Sequence, residues 1–446
     1  MGNFTLKSTL ASALALAALA SPIVLTRQAA AQSFKLSPVG GAADDEFGHA
    51  VAIDGTTAIV GTPGDDTQAT DAGAASVFTF NGTSWVLQQK LLPASGSSNG
   101  FFGSAVAILG DLAVVGAYGD PNAGAFAGAV YVFRRSGSVW SLSQKLLAAD
   151  AAATKFFGYS VAMTNDTIAV GASGDAAAGS SAGAAYVFSL AGGSFAQHQK
   201  LLAADGGPNN NFGVSIAGSA TTLLVGASGD VDNGTGAGSA YAFVRNASGT
   251  FVQQQKLVAA SGSLNDYFGN AVALSGDTAF VGAFSDDAKG TDAGAVYVFV
   301  RNGGAWSQSQ KLFAADAAAG DLFGFSVGLT AHDAVIGAPN DSDNGSSSGS
   351  VYSFRSNDTW AQRSKLHASD PHASDFFGYA AAVGGANVIV GANGKQDFGA
   401  NSGAAYVFSQ SVTSVPALGT LACVLLFTVL LLQSFRAPRR ARRLAR

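Results

Sequence analysis

An aspartate recurs along the chain, four residues after the glycine of a run similar to Val-Gly-Ala. The six copies are Asp65, Asp120, Asp175, Asp230, Asp286 and Asp341, and the seventh equivalent position holds Lys395. Further oxygen donors accompany four of them: Asp66 and Asp71 in the first copy, Asp232 and Asn233 in the fourth, Asp287 and Asp292 in the fifth, and Asp343 and Asn344 in the sixth. Calcium prefers several oxygen ligands from one flexible loop, so these four loops predict calcium sites.

A second interpretation of the same loops needs no metal. Asp and Asn side chains stabilise turns by accepting hydrogen bonds from their own backbone. None of the loops carries a complete ladder of calcium ligands. The alternative to calcium binding is therefore a purely structural role in turns.

The sequence offers little for catalysis. The five histidines, His49, His198, His332, His367 and His372, are spread along the chain, and no cysteine or glutamate pattern completes a zinc site around them. No nucleophile elbow or other spaced triad motif occurs. The tryptophans Trp85, Trp140, Trp306 and Trp360 have ring faces that can stack on sugars, but we expect them to cover the outer face of a sheet.

The recurring aspartate belongs to a repeat that occurs seven times. Phe-Gly pairs begin 54 to 56 residues apart, at Phe47, Phe102, Phe157, Phe212, Phe268, Phe323 and Phe377. A glycine follows each Phe after 14 residues, a second glycine after 26, and a Phe closes a run similar to Tyr-Val-Phe after 31. A period of this size indicates a solenoid, a propeller or an array.

Each unit contains four strand-like runs joined by short polar connections. In the second unit these runs are SAVAI, LAVVGA, GAVYVFRR and VWSLSQKL, and their alternation is typical of strands. Consecutive strands with short turns pair antiparallel, and a four-stranded sheet repeated around an axis is a propeller blade. The sequence therefore predicts an all-β, seven-bladed propeller of four-stranded antiparallel blades. We expect each Phe of a Phe-Gly pair to pack between blades.

The two ends of the array predict a closed ring. Six units end in an aromatic residue followed by Lys-Leu, whereas the last unit stops at Phe408 without this fourth strand. An unattached copy, Ser33-Phe34-Lys35-Leu36, precedes the first unit, and Lys35 has the usual spacing to Phe47. An open stack would expose two sheet edges, so we expect Phe34–Leu36 to complete the last blade.

The termini carry features of export and membrane attachment. Residues 1–31 contain Lys7, an apolar run and three alanines, and they predict a signal peptide cleaved before Gln32. Residues 32–410 form the predicted propeller and 411–416 a linker. The nearly uncharged segment 417–435 is long enough to span a bilayer, and the arginine-rich tail 436–446 should stay cytoplasmic. A buried core helix is the alternative for 417–435.

The net charge of the predicted propeller limits the classes of ligand that it is expected to bind. The predicted propeller holds 16 Lys and Arg and all 29 acidic residues, which gives a net charge of −13. An acidic exported module should not favour nucleic acid or anionic lipid, and suits cations or basic partners. The single cysteine, Cys423, lies in the predicted membrane segment, so strand pairing and packing must close the ring.

The Phe-Gly and Gly-Ala(-Pro) pattern resembles the FG-GAP repeats of integrin α-subunit propellers and of bacterial FG-GAP repeat proteins. This resemblance covers residues 33–410 and implies a seven-bladed propeller for adhesion or ligand binding, often with calcium. The integrin-type calcium loop would lie between the first two strands, where this sequence has only a tight turn such as Leu109-Gly110-Asp111. The C-terminus, from Val415-Pro416 onward, resembles bacterial sorting signals, which implies surface sorting and removal of the tail.

Together these features predict an exported, surface-displayed, non-catalytic binding or adhesion propeller. Its ligand is an unidentified extracellular protein or glycan, and a lectin is one variant of this function. The alternative is a structural surface-layer or matrix protein without a specific ligand. An enzyme is the least favoured class.

Overall fold

The computed structural model describes residues 32–409, which form 28 strands in seven four-stranded sheets. Strand β1 spans Gln32–Leu36. Blade 1 contains β2 (Val51–Asp54), β3 (Thr57–Thr62), β4 (Ala74–Phe80) and β5 (Trp85–Leu91). Blade 2 contains β6 (Phe102–Leu109), β7 (Leu112–Ala117), β8 (Ala129–Ser136) and β9 (Val139–Leu146). Blade 3 contains β10 (Phe157–Met163), β11 (Thr167–Ala172), β12 (Ala184–Ala191) and β13 (Ser194–Leu201).

The remaining blades repeat this order. Blade 4 contains β14 (Phe212–Gly218), β15 (Thr222–Ala227), β16 (Ser239–Arg245) and β17 (Phe251–Leu257). Blade 5 contains β18 (Val272–Ser275), β19 (Thr278–Ala283), β20 (Ala295–Asn302) and β21 (Ala305–Leu312). Blade 6 contains β22 (Ser326–Leu329), β23 (Asp333–Ala338), β24 (Ser350–Ser356) and β25 (Trp360–Leu366). Blade 7 contains β26 (Ala380–Gly384), β27 (Asn387–Ala392), β28 (Ala404–Ser409) and β1.

Strand β1 closes the ring, as the sequence predicts. It pairs antiparallel with β28, so that Phe34 lies opposite Val407 and Leu36 opposite Ala405. The first strand of each blade contacts the first strands of both neighbouring blades, including β2 of blade 1 with β26 of blade 7. The first strands therefore surround the central axis, and the all-β seven-bladed propeller is confirmed.

Glycine in the second strand permits the close approach of neighbouring blades. A Cβ atom on Gly116 of β7 would clash with the carbonyl oxygen of Gly158 in blade 3. The same clash would occur across the ring closure, between Gly391 and Gly48. Backbones this close together exclude any side chain at these positions.

The Phe of each Phe-Gly pair packs in the core between blades, as predicted. Phe102 is fully buried and lies edge-on to Tyr131, with ring centroids 5.2 Å apart. The same core cluster includes Ile59 and Val77 of the preceding blade. Each interface between blades therefore has its own small hydrophobic core.

Glutamines in the fourth strands connect neighbouring blades. The amide of Gln89 donates to the carbonyl oxygen of Trp140 and accepts from its N–H, both at 2.8 Å. Four more pairs repeat this arrangement: Gln144 with Phe195, Gln199 with Phe251, Gln255 with Trp306, and Gln310 with Trp360. At the ring closure, Phe34 takes the equivalent position and packs edge-on against Phe80 at 5.8 Å.

The two ends of the propeller carry connections of different length. The loops between second and third strands all have eleven residues: 63–73, 118–128, 173–183, 228–238, 284–294, 339–349 and 393–403. These loops and the linkers between blades lie on one end, which we call the long-loop face. The opposite end, the short-turn face, has connections of two to five residues. The tight turn predicted in place of an integrin-type calcium loop lies on this short-turn face.

Within residues 32–409, no helix is long and apolar enough to cross a membrane. The predicted signal peptide (1–31), linker (411–416), membrane segment (417–435) and arginine-rich tail (436–446) lie outside the described residues. These predictions remain expectations from the sequence.

Candidate functional site

The recurring aspartate anchors its eleven-residue loop on the long-loop face. In blade 2, the Oδ1 atom of Asp120 accepts the N–H of Asn122 at 3.1 Å. Its Oδ2 atom accepts the hydroxyl of Tyr131 and the ammonium of Lys145, both at 2.7 Å. One carboxylate oxygen thus stabilises a turn within the loop, and the other ties the loop to the third and fourth strands of the same blade.

Blades 1 to 6 share this arrangement. The aspartates are at most 5 % exposed. Each pairs with the lysine at the end of its own fourth strand: Lys90, Lys145, Lys200, Lys256, Lys311 and Lys365. A tyrosine hydroxyl joins the aspartate in blades 2 to 6: Tyr131, Tyr186, Tyr241, Tyr297 and Tyr352. We call each group an Asp–Lys–Tyr cluster, although Ser76 replaces the tyrosine in blade 1.

Blades 4 and 6 bring three carboxylates together, and a lysine lies among them. Asp205, Asp230 and Asp232 surround Lys256, with N–O distances of 2.7, 3.1 and 2.5 Å. Burial alone would lower the pKa of Lys256, but the hydrogen bonds that its ammonium donates to these carboxylates outweigh burial and raise the pKa. The ammonium group of Lys256 therefore occupies the position between the carboxylate oxygens that a calcium ion would take.

Blade 6 repeats the three-carboxylate group with Asp316, Asp341 and Asp343 around Lys365. Burial acts to raise the pKa of Asp341, but hydrogen bonds from Lys365 and Tyr352 outweigh it and lower the pKa. Asp205 and Asp316 are new members that sequence reasoning missed. Both lie on linkers, distant in sequence from the loops whose carboxylates they approach.

The other predicted calcium ligands take turn and surface positions. In blade 1 the side chain of Asp66 accepts the N–H of Asp71 at 2.8 Å, and in blade 5 Asp287 does the same for Asp292. Asp71 and Asp292 have φ angles of 51° and 52°, a left-handed conformation that asparagine and aspartate tolerate better than most residues.

The two asparagines differ in their contacts. Asn344 lies 2.8 Å from Nδ1 of His367, and Asn233 is exposed. Asp65 and Asp286 belong to the Asp–Lys–Tyr clusters of blades 1 and 5. Calcium binding therefore stays a prediction, with blades 4 and 6 as the places where most carboxylates converge.

Blade 7 reverses the charge of the recurring position. Lys395 is 1 % exposed and donates to Asp375 at 2.9 Å. Lys35 of the closing strand donates to Asp370 at 2.6 Å and also contacts Asp397. This ion-pair network ties the closing strand to the linker and loop of the last blade.

A second buried aspartate lies two residues before the Phe-Gly pair in several blades. Asp45, Asp266 and Asp321 are at most 6 % exposed, and each accepts one backbone N–H of its own linker at 2.7 Å. Burial raises the pKa of Asp266 to about 6, and the nearby Asp286 contributes. Sequence reasoning did not single out this acid, although its fixed position before the Phe-Gly pair is visible.

Aromatic side chains gather where the first strands reach the long-loop face. Phe101 and Tyr118 stack at 5.0 Å, and Tyr118 lies 5.6 Å from Tyr159. A second series runs through blades 5 to 7 and reaches blade 1, with neighbouring ring centroids 5.0 to 5.6 Å apart: Tyr267, Phe284, Phe325, Tyr379 and His49. We call these residues, together with Glu46 and Asn393, the axial aromatic mouth. Burial raises the pKa of Tyr118 to about 12, with contributions from Tyr159 and Glu46.

The histidines and tryptophans have local structural contacts. Nδ1 of His49 lies 2.9 Å from Glu46, and Nδ1 of His372 lies 2.8 Å from the ammonium of Lys395. The four tryptophans are at most 8 % exposed, so their ring faces are closed to sugars. They lie on fourth strands, as expected, but pack at the interfaces between blades.

Comparison with known proteins agrees with this architecture. No curated protein matches the chain. The family model described as FG-GAP repeat matches seven segments: 31–78, 85–133, 140–188, 195–243, 251–299, 306–354 and 360–408. Each matched segment starts with the fourth strand of one blade and ends with the third strand of the next, which is the offset that closes the ring. The chain therefore belongs to the FG-GAP repeat family.

Proposed function

We propose that this propeller is a non-catalytic binding module that engages an extracellular ligand, a protein or a glycan, through its long-loop face. One observation carries the proposal: all seven eleven-residue loops and all seven linkers lie on the same face. Loops held by a rigid scaffold are where binding residues concentrate. The family and the fold are consistent with a ligand-binding or adhesion role.

The contacts on that face support binding rather than chemistry. Each Asp–Lys–Tyr cluster pairs its buried aspartate with a lysine and fixes the conformation of one loop. Raised lysine pKa values, as at Lys256, keep the amine protonated and therefore not nucleophilic. Loops fixed in advance lose little conformational entropy when a ligand binds.

A binding screen tests the proposal. The purified full-length chain is passed over immobilised extracellular-matrix proteins and an array of oligosaccharides, and binding is measured as a function of concentration. We expect saturable binding to at least one ligand. Absence of saturable binding, together with ordered self-assembly on a surface, would favour the structural alternative.

The cellular location is part of the proposal and rests on sequence features alone. We propose export through residues 1–31 and surface attachment through 417–435, with processing near the arginine-rich tail. The full-length protein should fractionate with membranes, and mass spectrometry of the mature surface form should find the tail missing. Full-length protein released freely into the medium would contradict both forms of attachment.

A further inference from the structure

The axial aromatic mouth offers exposed aromatic rings in blades 3 and 5. Tyr159 is 42 % exposed and Tyr267 is 36 % exposed, although each lies in contact with another aromatic ring. Blade 4 interrupts the aromatic lining, because Asn211, Val214 and Ser228 take the corresponding positions. The mouth therefore consists of two aromatic arcs, one in blades 2 and 3 and one in blades 5 to 7.

An unsatisfied hydrogen-bond acceptor lies at the same level. Asn393 directly follows the second strand of blade 7, the position that Tyr118 and Phe284 take in blades 2 and 5. Its side chain is nine-tenths buried, and within residues 32–409 its Oδ1 atom has no hydrogen-bond partner. An unpaired buried acceptor costs free energy, and a donor group of a ligand would offset this cost once the Asn393 side chain turns toward the mouth.

The mouth also presents groups that both donate and accept hydrogen bonds. The phenol hydroxyls of Tyr118, Tyr159 and Tyr379 can do either. The ring of Tyr379 lies 5.2 Å from that of His49, which contacts Glu46, so these groups are neighbours in the mouth. Glu46 adds a carboxylate whose Oε2 atom lies 2.9 Å from His49.

We propose that the axial aromatic mouth binds a neutral saccharide. A sugar ring has apolar C–H faces that pack against aromatic rings and hydroxyl groups that both donate and accept, so it matches both parts of the lining. This inference rests on the proposed binding function and assigns the site and ligand class within it.

Charge narrows the saccharide class further. The propeller carries a net charge of −13, and Glu46 lies in the mouth itself. Sulfated or acidic sugars would meet electrostatic repulsion there. A cationic ligand would use Glu46 and the ring faces, but it has no acceptors for the phenol donors.

The experiment uses the full-length chain on an array of neutral, acidic and sulfated oligosaccharides, followed by titration with the best neutral one. Tyr159→Ala should weaken binding about tenfold, because it removes an exposed stacking surface. Tyr379→Phe should weaken it about threefold, because it removes one hydroxyl. The matched control is Phe398→Ala, an exposed aromatic change on the same face outside the mouth, which should leave affinity within about twofold.

Other outcomes would overturn the saccharide assignment. One is the absence of any neutral saccharide ligand, and another is saccharide binding that Tyr159→Ala leaves unchanged. A third is Tyr159-dependent binding of tetramethylammonium or an oligolysine peptide without saccharide binding. If a matrix protein binds through the long-loop face and no saccharide does, the proposed function stands and only this assignment fails.

Discussion

The long-loop face and the short-turn face join the same strands by different means. On the short-turn face, connections of two to five residues carry exposed ion pairs, such as Arg135 with Asp111, whose side chain is 71 % exposed. On the long-loop face, the eleven-residue loops of blades 1 to 6 are each anchored by an aspartate that is at most 5 % exposed and paired with a lysine. Short turns are stabilised by their own backbone geometry, whereas long loops need buried polar contacts. The long-loop face therefore combines variable residues with fixed backbones, as a binding surface requires.

The largest expected effect is at the closing strand, which meets both faces. Deleting Ser33–Leu36 removes the β1–β28 ladder, the burial of Leu36 and the contacts of Lys35. We expect a loss of roughly 5 kcal/mol in the free energy of unfolding, since several ladder bonds and one buried leucine are lost. Thermal and denaturant unfolding measure it, and unchanged stability in a monomeric deletion variant would contradict the closed ring.

A point variant at Lys35 separates the stability contributed by the ion pairs of the closing strand from that contributed by its ladder. Lys35→Met keeps the ladder and removes only the ion pairs on the long-loop face. Because Lys35 and its partners are partly exposed, we expect a cost of about 1–2 kcal/mol. A loss as large as that of the deletion would place the closing energy in the ion pairs rather than in the ladder.

The next effect compares one aspartate on each face. Asp341→Ala leaves Lys365 without its most buried partner and removes a loop contact, so we expect a cost of about 3 kcal/mol. Asp277→Ala removes a partner of Arg301 on the short-turn face, where Asp277 is 64 % exposed, and should cost about 0.5 kcal/mol or less. Urea unfolding of both variants measures the difference in free energy of unfolding. Equal costs would contradict the claim that buried aspartates stabilise the long-loop face more than exposed ones stabilise the short-turn face.

Calcium binding should differ between Asp–Lys–Tyr clusters that have three carboxylates and those that have one. Lys256→Ala leaves Asp205, Asp230 and Asp232 without their ammonium ion, and calcium should then bind. Saturation at about 100 times Kd would restore about 2.7 kcal/mol, and the wild type should gain less because calcium must displace Lys256. Melting with calcium and with a chelator measures this gain.

The matched control for the calcium experiment is Lys145→Ala in blade 2. Its cluster offers the single aspartate Asp120 and should show no calcium-dependent gain. Equal gains in the two lysine variants, or no gain in Lys256→Ala, would remove calcium from these loops and leave their aspartates as turn formers.

A pH dependence from Asp266 adds a comparison within the long-loop face. Its folded pKa of about 6 lies above the usual value of 3.8, so the folded state binds more protons between these values. Its contribution to stability is therefore full below about pH 4 and is lost as the pH rises to about 6. Asp266→Asn should flatten this part of the stability profile, and an unchanged profile would contradict the assignment.

The sequence predicts the strands, the blade number and the ring closure because each depends on local spacing that recurs in every unit. Lys35 and Phe47 suffice to place the closing strand, since their spacing equals that in six complete units. The Asp–Lys–Tyr clusters were partly predictable, because the aspartate and tyrosine stay 11 residues apart in blades 2 to 6 and the lysine follows the aspartate by 24 to 26 residues. Their contact was missed because the second loop and the end of the fourth strand meet only once the sheet has formed.

The residues of the axial aromatic mouth do not recur at one fixed position of the sequence repeat. Its members come from three different positions of the repeat, represented by Phe101, Tyr118 and Tyr159, and most blades fill only some of them. Their proximity arises from the convergence of the first strands on the axis. Only the closed ring brings them together.

Blocking one face at a time tests most directly whether the long-loop face is the binding face. In a Cys423→Ser background, Ala125→Cys labels the long-loop face of blade 2 and Ser138→Cys labels its short-turn face; both residues are exposed. Each variant is coupled to a polyethylene glycol maleimide and titrated against the ligand that bound the unlabelled chain. We predict at least about tenfold weaker binding for the label at residue 125 and a change of less than about twofold for the label at residue 138. The reverse pattern would contradict a binding function of the long-loop face.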